Sequence, residues 1–219
     1  MSSSPSFHSA LLAWGSTHHR MYPWRETREP YHVLIAEVLL HRTRADQVEP
    51  LYRSFTQKYP ILPDAARASA DDLHRMLAPA GLRWRIDALR RCVHQIVEQY
   101  DGAVPETRAE LEALPGIGHY IASAVRCFAF GHPDAVVDTN TVRIASRLFD
   151  FPVTDSSRRN SAVHAAVKRL VDPAAPRESN FALLDLGALV CTPRDPACSA
   201  CPLLAFCITG RQRIAGARE

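Results

Sequence analysis

The sequence predicts an all-α protein, and three observations carry this prediction. Apolar residues recur at the three- and four-residue spacing of amphipathic helices, as in residues 85–100. No segment shows the alternation of apolar and polar residues that marks a half-buried strand. A glycine-rich stretch, LPGIG at residues 114–118, separates two short helical patterns at residues 106–113 and 120–130. Segments of this kind bury their apolar faces by packing as helices.

Composition sets the first limits on function. The chain has 219 residues, of which 47% are hydrophobic, and a formal net charge of +3. This length allows one large domain or two small ones, and the average polarity argues against a membrane protein. The positive charge is compatible with binding nucleic acid but does not by itself indicate it. Since no apolar leader follows Met1, the sequence predicts a cytoplasmic, reducing environment.

The elements follow in order from the apolar pattern. A short amphipathic helix is expected from Phe7 to about Gly15, followed by an extended link at residues 22–25. The helix expected from Tyr31 to Arg42 is apolar all round, which predicts that it is buried. Further apolar stripes predict helices at residues 48–59, 71–78, 85–100, 141–149, 163–171 and 181–189.

The LPGIG turn is the first candidate functional feature. Gly116 and Gly118 permit positive φ angles and close backbone approach, so the N–H groups that open the next helix can point at an anion. A phosphate is the natural ligand for such a turn. The alternative is an ordinary connection between two helices, because short motifs also match by chance.

Two acidic residues are candidate catalytic groups. Asp138 follows an apolar run and opens a helix, where its carboxylate could face a sugar whose phosphate the turn holds. The alternative is a helix N-cap, a position that Asp favours. Glu37 lies in the middle of the apolar helix, where burying an unpaired carboxylate costs several kcal/mol. It must therefore be paired, protonated or functional, and the alternative is a structural pair with an arginine.

Four of the six cysteines lie close together near the C-terminus. They form the run C-x6-C-x2-C-x5-C at Cys191, Cys198, Cys201 and Cys207. Such thiolates suit one tetrahedral-thiolate centre, either an iron–sulfur cluster or a zinc ion. Disulfides are disfavoured by the expected reducing environment. Zinc sites usually show two C-x2-C pairs, whereas the single pair with longer arms favours a cluster.

Together these motifs resemble the endonuclease III and MutY branch of the helix-hairpin-helix DNA glycosylases. The LPGIG hairpin, the VDTN helix start at residues 137–140 and the cysteine run agree with that branch in order and spacing. The resemblance implies a two-domain helix-hairpin-helix DNA glycosylase fold with a C-terminal iron–sulfur loop, in which the four cysteines hold a [4Fe-4S] cluster. It implies a six-helix barrel at residues 21–134 and a cluster domain formed by residues 1–20 and 135–219.

The segment PYHVLIAEVLLHRT, residues 30–43, is most similar to the thymine-mismatch glycosylases of this family. The resemblance implies that Glu37 lies in the base pocket and that Arg42 enters the duplex where the base has left. It also implies that Leu82 wedges into the opposite strand. Simple packing is the alternative for Leu82. Asn140 matches the asparagine of MutY-type and mismatch enzymes. It is expected to bind DNA and to orient the region of Asp138.

Tyr120 determines the reaction type that the resemblance implies. Endonuclease III-like enzymes carry lysine in this slot, and its amine forms a Schiff base that leads to strand cleavage. A phenol cannot form an imine, so we expect a monofunctional glycosylase without lysine-dependent lyase activity. MutY-type enzymes carry serine there, and the thymine-mismatch enzymes carry tyrosine. The alternative for Tyr120 is an aromatic residue that packs on the hairpin.

The predicted function is removal of a mismatched thymine or uracil opposite guanine from double-stranded DNA, in base excision repair. Asp138, Glu37 and Tyr120 are the predicted catalytic residues, in a pocket expected between the two domains. The alternatives are a MutY-like adenine glycosylase, an endonuclease III-like enzyme for oxidised pyrimidines, and a DNA-binding iron–sulfur module without catalysis. A monomer without membrane association is expected.

Overall fold

The computed structural model describes residues 6–81, 83–154 and 156–216, without the side chain of residue 80. Within these ranges the chain is helical and contains no β-strand, which confirms the all-α prediction. The α-helices are α1 (Phe7–His18), α2 (Pro30–Leu40), α3 (Ala45–Lys58), α4 (Leu62–Arg67), α5 (Ala70–Leu77), α6 (Arg83–Tyr100), α7 (Arg108–Ala113), α8 (His119–Phe128), α9 (Thr139–Phe149), α10 (Ser161–Lys168), α11 (Pro176–Leu189) and α12 (Ile208–Gly216). Short 3₁₀ turns occupy Pro23–Arg25, Ala78–Ala80, Ser157–Arg159, Cys198–Ala200 and Leu204–Phe206. None of the described helices is long and apolar enough to cross a membrane.

The helices divide into two compact units. One contains residues 21–130, and the other joins the N-terminal residues through position 20 to the chain from position 131 onward. The expected boundary lay four residues later, after residue 134. The difference has a local cause, because Asn180 of α11 binds the segment that leads into α9. Its Nδ2 donates to the Asp134 carbonyl at 2.9 Å, and its Oδ1 accepts the Val136 N–H at 2.9 Å.

Helix α2 is the buried helix of the first unit. Pro30 begins it, where the missing N–H costs no hydrogen bond. Residues 33–39 are all buried, so the helix is covered on every side, as its apolar sequence predicts. The helix ends at Leu40 rather than Arg42, and Arg42 follows in a left-handed conformation with a φ of 65°.

The link at residues 22–25, expected to be extended, forms a 3₁₀ turn at Pro23–Arg25. The reason is the burial of Trp24, which is only 5% exposed. Its ring meets the Tyr52 ring of α3 edge to face, with centroids 5.4 Å apart. This turn therefore packs as part of the first unit.

Helix α1 is fixed to α11 within the second unit. A Cβ at Gly15 would lie only 2.7 Å from Ala182 Cβ, so glycine permits this close approach in mid-helix. Helix α1 continues to His18, three residues beyond the expected end near Gly15. Just beyond α1, the backbone N–H and Nε of Arg20 donate to the buried carboxylate of Asp185 at 3.0 and 2.6 Å.

Candidate active site

The LPGIG stretch connects α7 to α8 as a helical hairpin. Gly116 has a φ of 79°, and a Cβ there would lie 2.8 Å from Ala88 Cβ of α6, so both its conformation and its packing require glycine. Gly118 is the N-cap of α8 and makes no side-chain cap, while a Cβ there would meet no atom within 4 Å. The first backbone N–H groups of α8 have the geometry that receives an anion such as phosphate.

Tyr120 is the second residue of α8 and is half-buried. The preceding residue, His119, belongs to a polar cluster that joins α7 to α8. Its Nδ1 lies 2.9 Å from Glu112 Oε1 and 3.2 Å from Arg108 Nη1. Arg108 also donates to Ser123 Oγ at 3.1 Å. These contacts fix the two helices of the hairpin against each other and support the turn that carries Tyr120.

Glu37 and Arg42 occupy contrasting environments at the end of α2. Glu37 lies within the helix and is 4% exposed, which agrees with the buried position expected of it. Arg42 is exposed and follows the helix in the left-handed conformation. Leu82, the expected wedge, lies outside the described residues.

Asp138 is the N-cap of α9, and its carboxylate is fixed by several hydrogen bonds. Its Oδ1 accepts the backbone N–H groups of Asn140 at 2.9 Å and Thr141 at 2.8 Å. Its own N–H donates to Thr141 Oγ1 at 2.9 Å, which completes a capping box. Its Oδ2 accepts from Asn140 Nδ2 at 2.8 Å. The residue is half-buried, so the carboxylate has a defined orientation without being enclosed.

Arg143, which was not predicted from the sequence, extends this network. Its Nη2 donates to Asn140 Oδ1 and to the Gly187 carbonyl, both at 2.8 Å, and its Nε donates to the Cys191 carbonyl at 2.8 Å. Burial is the main cause that lowers the pKa of Arg143. A Cβ at Gly187 would lie 2.6 Å from Asn140 Cβ, so the approach of α11 to α9 depends on glycine. The network joins the Asp138 carboxylate to the first cysteine of the run.

The four cysteines of the run line one cavity. All six cysteines of the chain lie in its described part, and none is in a disulfide. The described residues contain no group of three or more His, Cys, Asp or Glu side chains arranged to hold a metal ion. A tetrahedral zinc site would bring four sulfurs to about 2.3 Å from one point. The four thiols share a cavity without forming such a group.

Several N–H groups are directed at these sulfurs. Arg147 Nη1 donates to Cys191 Sγ at 3.3 Å, and the Gly210 N–H donates to Cys207 Sγ at 3.2 Å. Burial raises the pKa of the Cys201 thiol to about 11 and also raises that of Cys207. Thiolate ligands, partial burial and hydrogen bonds to sulfur are features of protein sites that hold iron–sulfur clusters. Four cysteine thiols that line one cavity are the kind of donor set that such a cluster takes.

Arg143 and Arg147 lie one turn apart on α9. Their four-residue spacing is visible in the sequence. Both are cations on the helix that Asp138 opens, at positions that share a face. Arg147 contacts the cysteine loop directly, because its Nη1 donates to the Thr192 carbonyl at 2.7 Å and its Nη2 to the Pro193 carbonyl at 2.8 Å. Two arginines with this spacing after an acidic N-cap could have been selected as candidates.

The hairpin with an anion-receiving helix start and the fixed carboxylate at a second helix start define the class of DNA repair proteins built on the helix-hairpin-helix. Residues 35–173 of the chain match the model of the HhH-GPD superfamily of base excision DNA repair proteins. The chain belongs to this superfamily. The family predicted from the sequence motifs is thereby confirmed.

The chain is similar over almost its whole length to glycosylases named for thymine. It is 34% identical to the thymine/uracil-DNA glycosylase of Methanothermobacter thermautotrophicus, over 92% of this chain and 91% of that protein. It is 35% identical to the thymine-DNA glycosylase of Aeropyrum pernix, over 90% and 91% of the two chains. The adenine DNA glycosylase of Homo sapiens is 36% identical over 95% of this chain, but the match spans 40% of that protein.

Solved structures show the same fold. A thermostable thymine-DNA glycosylase superposes with a TM-score of 0.85 and 33% identity, over 94% of this chain and 95% of that one. A trapped covalent intermediate of endonuclease III with DNA superposes with a TM-score of 0.79 and 26% identity, also over 94% and 95%. These similarities confirm the predicted helix-hairpin-helix glycosylase fold.

Proposed function

We propose that this protein is a monofunctional DNA glycosylase of base excision repair that removes thymine or uracil mispaired with guanine. The single observation that carries the chemistry is the fixed carboxylate of Asp138, which accepts hydrogen bonds at both oxygens. The identity of the base that is removed is inferred from the thymine/uracil-DNA glycosylase that matches over 92% of this chain. The thymine-DNA glycosylase of Aeropyrum pernix, which matches over 90% of this chain, supports the same inference.

Asp138 acts on the sugar. Cleavage of the N-glycosidic bond leaves positive charge on the sugar ring, and a carboxylate stabilises that charge directly, through a water, or by a transient covalent bond. Because the Asn140 and Thr141 donors fix the carboxylate before substrate binds, little reorganisation is needed as the charge develops. Capping α9 and stabilising the sugar are compatible roles for one side chain.

Glu37 and Tyr120 act on the base. Glu37 donates a proton or a hydrogen bond to the departing base, and its 4% exposure keeps that group away from bulk water. Tyr120, half-buried in the first turn of α8, contacts the base or its sugar. Its phenol cannot form the Schiff base that a lysine would form, so the reaction stops at the abasic site.

The hairpin and Arg42 bind the DNA. Backbone N–H groups around Gly116 and Gly118 hold a phosphate at the start of α8, which sets the register of the duplex. Arg42 is exposed and enters the space that the extruded base leaves. Expulsion costs less for a mismatched base than for a well-paired one, which contributes to selectivity. Asn140 contacts the DNA beside the carboxylate that it orients, and Leu82 stays a predicted wedge.

A [4Fe-4S] cluster held by the four cysteines of the run is part of the proposal. It would supply a covalent crosslink of the loop at residues 191–207 rather than electrons for the hydrolysis. The chain's own residues prepare the loop, because Arg143 binds the Cys191 carbonyl and Arg147 binds the Thr192 carbonyl. The loop thereby becomes a rigid neighbour of α9, which carries the Asp138 network.

End-labelled duplexes test this function. Each carries G·T, G·U, A opposite 8-oxoguanine, or an oxidised pyrimidine, and is analysed with and without hot alkali after incubation. Breaks at G·T and G·U that need alkali are expected from the wild type, and none from D138N. Breaks at A would favour the adenine enzyme, and breaks without alkali would contradict the monofunctional mechanism. Y120K should become trappable on DNA by borohydride, whereas Y120F should not.

A further inference from the structure

Arg85 is a buried cation at the C-terminal end of α2. It lies in the first turn of α6, and only 3% of its surface is exposed. Its Nη1 donates to the backbone carbonyls of Leu39 at 3.0 Å and Val38 at 3.4 Å, and also to that of His41. The last carbonyls of a helix have no partner within it, so the Arg85 guanidinium caps α2 from another helix.

The same guanidinium reaches two further segments through its other terminal nitrogen. Nη2 donates to Thr43 Oγ1 at 3.1 Å, in the loop before α3. It also lies 3.4 Å from the Gly81 carbonyl, in the turn before α6. One planar group thus joins the end of α2 to two loops. Such bridging suits arginine, whose donors are fixed in a plane, better than lysine, whose single ammonium is a point charge.

Arg42 lies between two residues that Arg85 holds. His41 and Thr43 flank it, and its own φ of 65° is a left-handed value that residues other than glycine rarely adopt. Such a conformation persists only where the surrounding contacts determine it. Because the Arg42 side chain is exposed, the determining contacts come from its neighbours in the chain.

We propose that Arg85 is a positioning residue for base extrusion, because it holds the loop of Arg42 and the turn at Gly81 on one rigid support. This inference rests on the proposed function, in which Arg42 enters the duplex. With both segments fixed by the protein, extrusion does not require them to become ordered at the same time. Loss of the bridge should slow extrusion while leaving the phosphate site of the hairpin intact.

Base extrusion is measured separately from bond cleavage. A duplex carries a G·T pair in which the thymidine has a 2′-fluoro sugar that resists cleavage, with 2-aminopurine beside it as a fluorescent reporter of unstacking. The variants are R85K, T43V and the double variant, and R91K on the exposed face of α6 is the matched control. T43V removes the Nη2 partner on the Arg42 side while retaining Arg85.

We expect R85K to slow the fluorescence change by about tenfold or more and T43V by about threefold, with R91K unchanged. The double variant should be no slower than R85K, because both changes break the same bridge. A wild-type extrusion rate in T43V, or a double variant slowed by the product of the two single effects, would overturn the proposal. If R85K fails to fold, T43V alone still tests the proposal.

The proposed glycosylase function is tested separately. If the wild type releases no base from an unmodified G·T duplex, that function is refuted. The comparison of extrusion rates does not depend on this result, because it uses a duplex that cannot be cleaved.

Discussion

Asn140 holds the carboxylate of Asp138 at both oxygens, with its backbone N–H 2.9 Å from Oδ1 and its side-chain Nδ2 2.8 Å from Oδ2. Arg143 fixes the amide in turn, because its Nη2 donates to Asn140 Oδ1 at 2.8 Å. That contact determines which end of the Asn140 amide faces the carboxylate. The orientation of the proposed catalytic carboxylate therefore depends on the side chains of Asn140 and Arg143.

Replacing Asn140 by alanine should slow base release. N140A removes the hydrogen bond to Asp138 Oδ2 but keeps the backbone bond to Oδ1. A hydrogen bond to a charged group is worth about 1.5–3 kcal/mol, so we expect the rate to fall by roughly 10- to 100-fold. The measurement is single-turnover excision from a G·T or G·U duplex with enzyme in excess. T139A is the matched control, because the Thr139 side chain is exposed on the same turn. Equal rates for N140A and T139A would contradict the orienting role.

A methyl group at position 187 should disturb the same network from the opposite side. In G187A the new Cβ would lie 2.6 Å from Asn140 Cβ and 3.4 Å from Arg143 Nη2, so α11 or Asn140 must move. Overpacking of this kind costs about 1–3 kcal/mol of unfolding free energy. We expect urea denaturation to show that loss and excision to slow as in N140A. G216A, where a Cβ meets no atom within 4 Å, provides the comparison and should leave both quantities unchanged.

Local sequence patterns predicted the hairpin and ten of the twelve described helices, but not α4 or α12. The glycines of LPGIG and the acid at the start of α9 are local signals, because turns and caps depend on neighbouring residues. At Asp138 the capping geometry that stood as the alternative is the one observed. Its catalytic role stays a prediction, and the hydrogen bonds show only that capping gives the carboxylate a fixed orientation.

Contacts between distant residues could not be predicted in this way. Arg143 binds the Gly187 carbonyl across 44 positions of the chain, and Arg85 binds the Leu39 carbonyl across 46. Helical periodicity shows which face of a helix is buried but not which helix covers it. The contacts of Arg85 with His41 and Thr43, which flank the left-handed Arg42, likewise join residues more than 40 positions apart.

The cysteine loop should carry iron. Protein purified under exclusion of oxygen is expected to contain about four iron and four sulfide per chain. C198A should lose most of that iron, because it removes one of four thiolates, whereas C92A should retain it. Elemental analysis together with acid-labile sulfide measures both. One zinc per chain without sulfide would contradict the cluster and support a mononuclear thiolate site.

Cys92 should make stability depend on pH under alkaline conditions. The side chain is fully buried, and burial raises the pKa of its thiol from 9.0 to about 12. The folded protein therefore keeps this proton at pH values where the unfolded chain releases it. The resulting contribution to stability is complete below about pH 9 and is lost as the pH rises toward 12.

Urea denaturation of wild type and C92A at several pH values measures this contribution. We expect the wild-type free energy of unfolding to fall more steeply than that of C92A, by up to about 1.4 kcal/mol per pH unit. Parallel curves would show that the thiol titrates alike in both states.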